Sequence, residues 1–160
     1  MNKYLSSRGW RNCNPLNIRR GEDWAGLCAQ QTDKQFCQFM NMSWGYRAAV
    51  KCMKSYYRYF KQVGKEWRID NIINRWAPPN ENDTAKYLVR VCEIMGREFG
   101  SFRLADPYTT PGRLQLAIMV AAMTCVECGC PPSAVPVASL NTGFVLAGLG
   151  DPLLTIDWWK

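Results

Sequence analysis

A single glutamate, Glu127, closes a run in which no charged residue occurs between Leu114 and Val126. A carboxyl group at the end of so apolar a segment must be paired with a cation, hydrated at the edge of a cleft, or protonated because loss of water raises its pKa. The third state is that of a general acid. Pairing with an arginine is the purely structural alternative. A second carboxylate, Glu81, stands in the polar run Asn80-Glu81-Asn82-Asp83-Thr84. Helix capping accounts for Asp83 and Thr84 but not for Glu81, which precedes the cap. Near the N-terminus Asn12, Asn14 and Asn17 fall within a few residues of one another. Asparagine amides both donate and accept, which suits sugar hydroxyls and N-acetyl groups, although each can equally close a turn.

The chain has no histidine and eight cysteines. Most of the cysteines sit singly among apolar neighbours, as buried thiols acting as small hydrophobes do. Cys125, Cys128 and Cys130 are close enough to bring zinc to mind, but no second CxxC pair completes a four-ligand set. Neither a metal nor a cofactor is expected.

These residues need elements to position them. Residues 110–129 read as a central helix, with Thr110 as N-cap, Pro111 at the first helical position and Gly129 just past the end. Its apolar side chains cover the whole circumference, so the helix is buried on every side. It is too short and too interrupted for the roughly 20 apolar residues of a membrane span, and no membrane insertion is expected. Residues 43–60 have the helical period, with Ser43 as N-cap, Trp44, Ala48, Cys52 and Tyr56 on one core-facing stripe, and a basic outer face. A short helix over 69–76 stops at Pro78-Pro79, and another runs over 84–95 to Gly96, with Tyr87 inward. Residues 7–20 read as an ordered loop. Short apolar pieces at 16–18, 24–27 and 36–39 read as a small, irregular β-hairpin region, turned at Gly21-Glu22-Asp23, with Trp24, Phe36 and Phe39 on its inner face. Residues 100–108 form a connector, and a last short helix is placed at 142–149. The fold class is therefore mainly α, in one domain over 1–160, with a core at about 8–130 and an extension at 131–160 that ends in a docking Trp158-Trp159 pair.

An apolar fraction of 48% against 21% charged residues excludes a disordered chain. The excess of 20 basic over 13 acidic residues, a net +7, favours an anionic partner. Specific nucleic-acid binding is not expected, for want of a recognition helix or clustered basic motif. The opening residues contain no apolar run, which implies synthesis in a bacterial cytoplasm without a signal peptide.

The run RGWRNCNPLNIRR, then Trp24-Ala25-Gly26-Leu27, the pair Phe36 and Phe39, Gly45-Tyr46-Arg47-Ala48, and finally RWAPPNENDTAKY resemble a small lysozyme-like family of phages and prophages of Bacteroidetes, often labelled virion structural protein. The resemblance covers residues 8 to about 129. It implies a lysozyme-superfamily fold, cleavage of peptidoglycan, and action at the cell wall or within a phage particle. Glu127-Cys128-Gly129 is also similar to the Glu-Ser-Gly at which peptidoglycan glucosaminidases and lytic transglycosylases carry their catalytic acid. Asn14-Pro15-Leu16-Asn17-Ile18-Arg19 with Trp24-Ala25-Gly26 is similar to a segment that follows it in the glucosaminidases. Here the two parts come in reversed order, which implies a circular permutation that brings the end of the central helix beside the N-terminal loop. Cys128 departs from the small polar residue of that pattern. On this reading Glu127 is the acid and Glu81 a second carboxylate or a substrate ligand. Asn12, Asn14, Asn17, Trp24, Trp76, Asn82 and Tyr87 contact the peptidoglycan glycan strand. Other virion proteins are possible partners of a catalytically silent alternative.

Overall fold

The computed structural model describes residues 2–97 and 103–160; the first residues of the expected connector, 100–102, lie outside the described residues. Among the described residues six helices carry the fold: α1 (Arg8–Arg11), α2 (Met42–Val63), α3 (Ile69–Trp76), α4 (Thr84–Met95), α5 (Thr110–Cys128) and α6 (Val137–Leu146). Single 3₁₀ turns at Lys3–Ser6 and Pro132–Ala134 precede α1 and α6. The loop expected over residues 7–20 thus contains one helical turn, α1, capped by the Ser7 side chain.

Helix α5 runs through the middle. Met119 to Thr124 are fully buried, as are Leu116 and Ala117, while Leu114 is exposed and Ile118 and Val126 are half-buried. Each large apolar side chain so enclosed contributes roughly 1.5–3 kcal/mol. Helix α4 packs against α5, α3 against α4, and α1 and α6 each touch α5. Tyr46 of α2 reaches α5 by a 2.9 Å hydrogen bond between its buried hydroxyl and that of Thr124. Helices α2 and α6 form the most extensive pair, and α6 places Leu140 and Phe144, both fully buried, in the same core. The C-terminal stretch is therefore a structural part of the core, and its helix begins at Val137, five residues ahead of the expected start. Trp158 packs half-buried on the core, whereas Trp159 is exposed. Among the described residues no helix is long and apolar enough to cross a membrane.

Helix ends follow local capping. Asp83 accepts from the Lys86 amide at 3.2 Å, and Gly96 and Gly129 take the left-handed conformation just past α4 and α5. Two caps differ from expectation by one or two residues. Thr109 caps α5 instead of Thr110, accepting from the Gly112 amide, and Asn41 caps α2 instead of Ser43, accepting from the Trp44 amide. In both places neighbouring oxygen-bearing side chains compete, and the outer one is in reach of the first free amides.

The expected β-hairpin region has only isolated antiparallel bridges, Arg19 with Phe36 and Leu27 with Phe39. Side chains replace the rest of a ladder: the Gln31 amide bonds the carbonyls of Cys28 and Gln38 and accepts from the Gln38 amide. Phe39 is buried, but Phe36 turns outward to lie under the guanidinium groups of Arg8 and Arg19, a correction to its inner placement.

Asp33 fastens this region to α1. Its carboxylate, 10% exposed, accepts from Arg8 Nε and Nη2 at 2.7 and 2.8 Å, Asn12 Nδ2 at 3.0 Å, and the amides of Gln35 and Phe36. The Arg8 hydrogen bond first, then those from Asn12 and the amides, hold its carboxyl well below the usual carboxylate range. A depressed folded-state pKa contributes stability that is complete above the unfolded value, near 3.9, and is lost as pH falls below it. Urea midpoints measured between about pH 5 and pH 2 are therefore expected to fall steeply for the native chain and less steeply for Asp33→Asn.

Candidate functional site

The end of α5 meets the N-terminal segment at very close range. Gly9 in α1 leaves no room for a side chain: a Cβ there would stand 2.8 Å from the Asn14 carbonyl oxygen, 2.9 Å from Cys128 Sγ and 3.0 Å from Asn17 Oδ1. The Cys128 thiol donates to the Pro15 carbonyl at 3.4 Å. Asn17 sits in the left-handed region at φ 52°, which asparagine tolerates better than most residues. From there its Nδ2 reaches both the backbone carbonyl and the carboxylate of Glu127, at 3.3 and 3.2 Å.

Glu127 receives two further donors. Trp76 Nε1, from the last residue of α3, lies 3.3 Å from Oε2, and the Tyr87 hydroxyl of α4 lies 2.9 Å from the same oxygen. No lysine or arginine forms an ion pair with it among the described residues. Burial raises the Glu127 pKa, and the hydrogen bonds from Asn17, Trp76 and Tyr87 lower it by less than burial raises it. The carboxyl group is thus biased toward holding its proton, in a cage of three donors ready to stabilise the anion once that proton leaves. Tyr87 remains a donor, because burial and then the neighbouring Glu127 charge push its own pKa well up.

Glu127 faces a groove of about 420 Å³ whose lining includes Asn17, Arg19, Phe36, Tyr56, Arg75, Trp76, Glu81 and Asn82. Four of the sequence-derived candidates, Asn17, Trp76, Glu81 and Asn82, thus share one groove with Glu127, and Tyr87 touches it from behind. Glu81 and Asn82 are exposed at the rim. A larger depression of about 840 Å³ between α4 and α5 includes Tyr87, Val126 and Pro131 but not Glu127, so its size gives it no claim on this carboxyl group.

Three candidates lie elsewhere. Asn14 is fully buried and spent on the backbone: Nδ2 donates to the carbonyls of Ile18 and Cys37, and Oδ1 accepts from the Ile18 amide. Asn12 is buried with its amide on Asp33. Trp24 packs half-buried on the core, with its buried indole N–H unpartnered among the described residues, and does not line the groove. For the two asparagines the cause is shared: the side chains that fix the irregular N-terminal segment come from the same residue type that would bind a sugar. Sequence reasoning in turn missed Arg19, Phe36, Cys52, Tyr56 and Arg75 as lining. The spacing of Cys52 and Tyr56 on α2 places them on the core-facing stripe; both are half-buried and line the groove, and Tyr56 packs against the core as well. Burial pushes the Cys52 thiol up to about 11, and Tyr56 to about 12, so both keep their protons at neutral pH.

All eight cysteines are free thiols, and no cluster of three or more metal-ligating side chains occurs among the described residues. No family model matches the chain. Protein P5 of Pseudoalteromonas phage PM2 is 39% identical to it over 95 residues, an alignment covering 57% of this chain and 57% of P5. A phage protein is thus a homologue of this chain. The match spans little more than half the length of that relative.

Proposed function

We propose that the chain is a lysozyme-like, peptidoglycan-cleaving phage protein in which Glu127 is the general acid. The observation that carries this reading is a carboxyl group, unpaired with any cation among the described residues, caged by three neutral donors and open to a groove lined by aromatic rings and amides. Such a groove is suited to a saccharide, whose ring faces stack on aromatic side chains and whose N-acetyl groups take amide hydrogen bonds. The juxtaposition of the α5 end with the N-terminal segment fits the permuted arrangement of a wall-cleaving site.

The chemistry needs only one acid. Glu127 gives its proton to the glycosidic oxygen, the C1–O bond breaks, and its electron pair stays with the departing sugar. The 6-hydroxyl of the cleaved sugar attacks C1 and returns its proton to the Glu127 carboxylate, leaving a 1,6-anhydro end. If water attacks instead, the product is a reducing end. Asn17, Trp76 and Tyr87 hold the carboxylate through the interval in which it is charged. Exposed Glu81 is placed to contact the glycan or to assist a water.

Digestion of purified peptidoglycan followed by product mass analysis tests this reading. Anhydro-muramyl ends are expected, given that Glu127 alone is caged. Reducing ends would assign a hydrolase and direct attention to Glu81. Undigested peptidoglycan would leave a glycan-binding or virion structural role and end the catalytic reading.

A further inference from the structure

We propose that Arg19 and Arg75 make this groove selective for glycan bearing carboxylates, so that muramyl-containing strands are taken in preference to neutral β-1,4-linked N-acetylglucosamine. The inference rests on the reading of the groove as a saccharide site and goes beyond it in naming what distinguishes the substrate.

Both arginines line the groove that Glu127 faces, Arg19 from the N-terminal segment and Arg75 from α3. Neither forms an ion pair among the described residues, whereas Arg8, Arg68, Arg90 and Arg103 each have an acidic partner. Each is instead laid against an aromatic ring. The Arg19 guanidinium carbon is 5.1 Å from the Phe36 centroid, and that of Arg75 is 4.3 Å from Tyr59 and 5.0 Å from Tyr56. A ring leaves the planar fork of N–H donors unspent while restricting its motion, so less entropy is lost when an anion is gripped. Bidentate capture of a carboxylate is what such a fork does best.

Charge within the groove agrees. Two guanidinium groups share it with the carboxyl groups of Glu81 and Glu127. The two guanidinium groups thus put cationic charge in the groove that the proposed acid faces. A neutral N-acetylglucosamine chain offers nothing to complement it, whereas muramyl residues carry a lactyl ether that ends either in a free carboxylate or in a peptide with carboxylates of its own. The shared chemistry is a carboxylate close to the sugar ring.

The test uses the full chain carrying Glu127→Gln, so that ligands are bound without turnover, and three tetrasaccharides: neutral N-acetylglucosamine, a peptide-free muramyl-containing glycan, and the same glycan with its peptides. Calorimetric titration is expected to show tighter binding of the acidic ligands. Adding Arg19→Gln and Arg75→Gln together is expected to weaken that binding by about tenfold or more, the worth of at least one charge-assisted hydrogen bond, while leaving the neutral ligand unchanged. Loss confined to the peptide-bearing ligand assigns the carboxylate to the peptide, and loss with both acidic ligands assigns it to the lactyl group. Equal loss for all three ligands, or no loss for any, overturns the proposal. The catalytic reading fails separately: a native chain that leaves peptidoglycan intact while its arginines still discriminate loses the acid but keeps the selectivity. Binding of none of the three ligands overturns both.

Discussion

Replacing Glu127 by glutamine is expected to reduce clearing of purified cell walls by about 10²–10⁴-fold, the usual worth of a positioned general acid. Glutamine preserves the shape and can still accept from Asn17, Trp76 or Tyr87 through its carbonyl oxygen, so the fold survives and only the transferable proton is lost. Two pH signatures accompany that loss. Clearing by the native chain requires protonated Glu127, and its rate falls as pH rises through the raised pKa of this group. Stability moves in the same direction. A carboxyl group whose folded-state pKa exceeds its unfolded value, near 4.3, contributes stability that is fully present below the unfolded value and is lost as pH rises through the folded one. Glu127→Gln is expected to remove that slope from the urea midpoint. Its sign is opposite to that of Asp33, so the two groups can be separated in one pH series: Asp33 governs the acid side, and Glu127 governs the range above the ordinary glutamate value. Clearing that survives Glu127→Gln unchanged would assign the chemistry elsewhere.

The second large effect concerns Asn14. Asn14→Ala strands one buried carbonyl, that of Cys37, and one buried amide, that of Ile18, at about 1–3 kcal/mol each, while the Ile18 carbonyl keeps its bond from the Cys37 amide. The total of about 2 kcal/mol or more is a large share of the 5–15 kcal/mol that holds a typical domain together. For a chain of this size it corresponds to a fall in melting temperature of roughly 4–8 °C. Calorimetry on Asn14→Ala beside Asn17→Ala checks it. Asn17 is half-buried, and its loss removes one donor from the Glu127 cage, so its effect is expected mainly on clearing, with a smaller fall in melting temperature of about 2–4 °C from the left-handed backbone that alanine tolerates less well. A ligand-binding asparagine at position 14 would give the reverse, intact stability and impaired clearing.

The contrast between these two asparagines marks where the sequence stops being legible. Both lie in one irregular segment and carry the same amide, and only the path of the chain decides which amide is consumed by neighbouring carbonyls. Helix boundaries were more readable, because caps act over three or four residues: Asp83, Gly96 and Gly129 punctuate the chain wherever it folds. Helix α6 was misplaced because no side-chain cap marks its start after Pro136. An uncharged helix ending in one acid points to a special environment for Glu127, and the resemblance to a reversed motif order points to the N-terminal asparagine-rich loop as its neighbour, with Asn17 the member that reaches it. Trp76 and Tyr87 were named as sugar contacts; nothing local announced that both would donate to this carboxylate, since α3 and α4 bring them there by packing. The groove arginines were invisible for the same reason. A single charge in a basic chain acquires meaning only from the rings and the cavity beside it.

The account depends on the Glu127 carboxyl group holding its proton above the range of an ordinary glutamate. A ¹³C NMR titration of the side-chain carboxyl groups, with the Glu127 resonance assigned by its disappearance in Glu127→Gln, measures this directly. A midpoint clearly above about 4.3 is predicted. A midpoint at or below that value would mean that Asn17, Trp76 and Tyr87 hold a permanent anion, and Glu127 would then be no general acid.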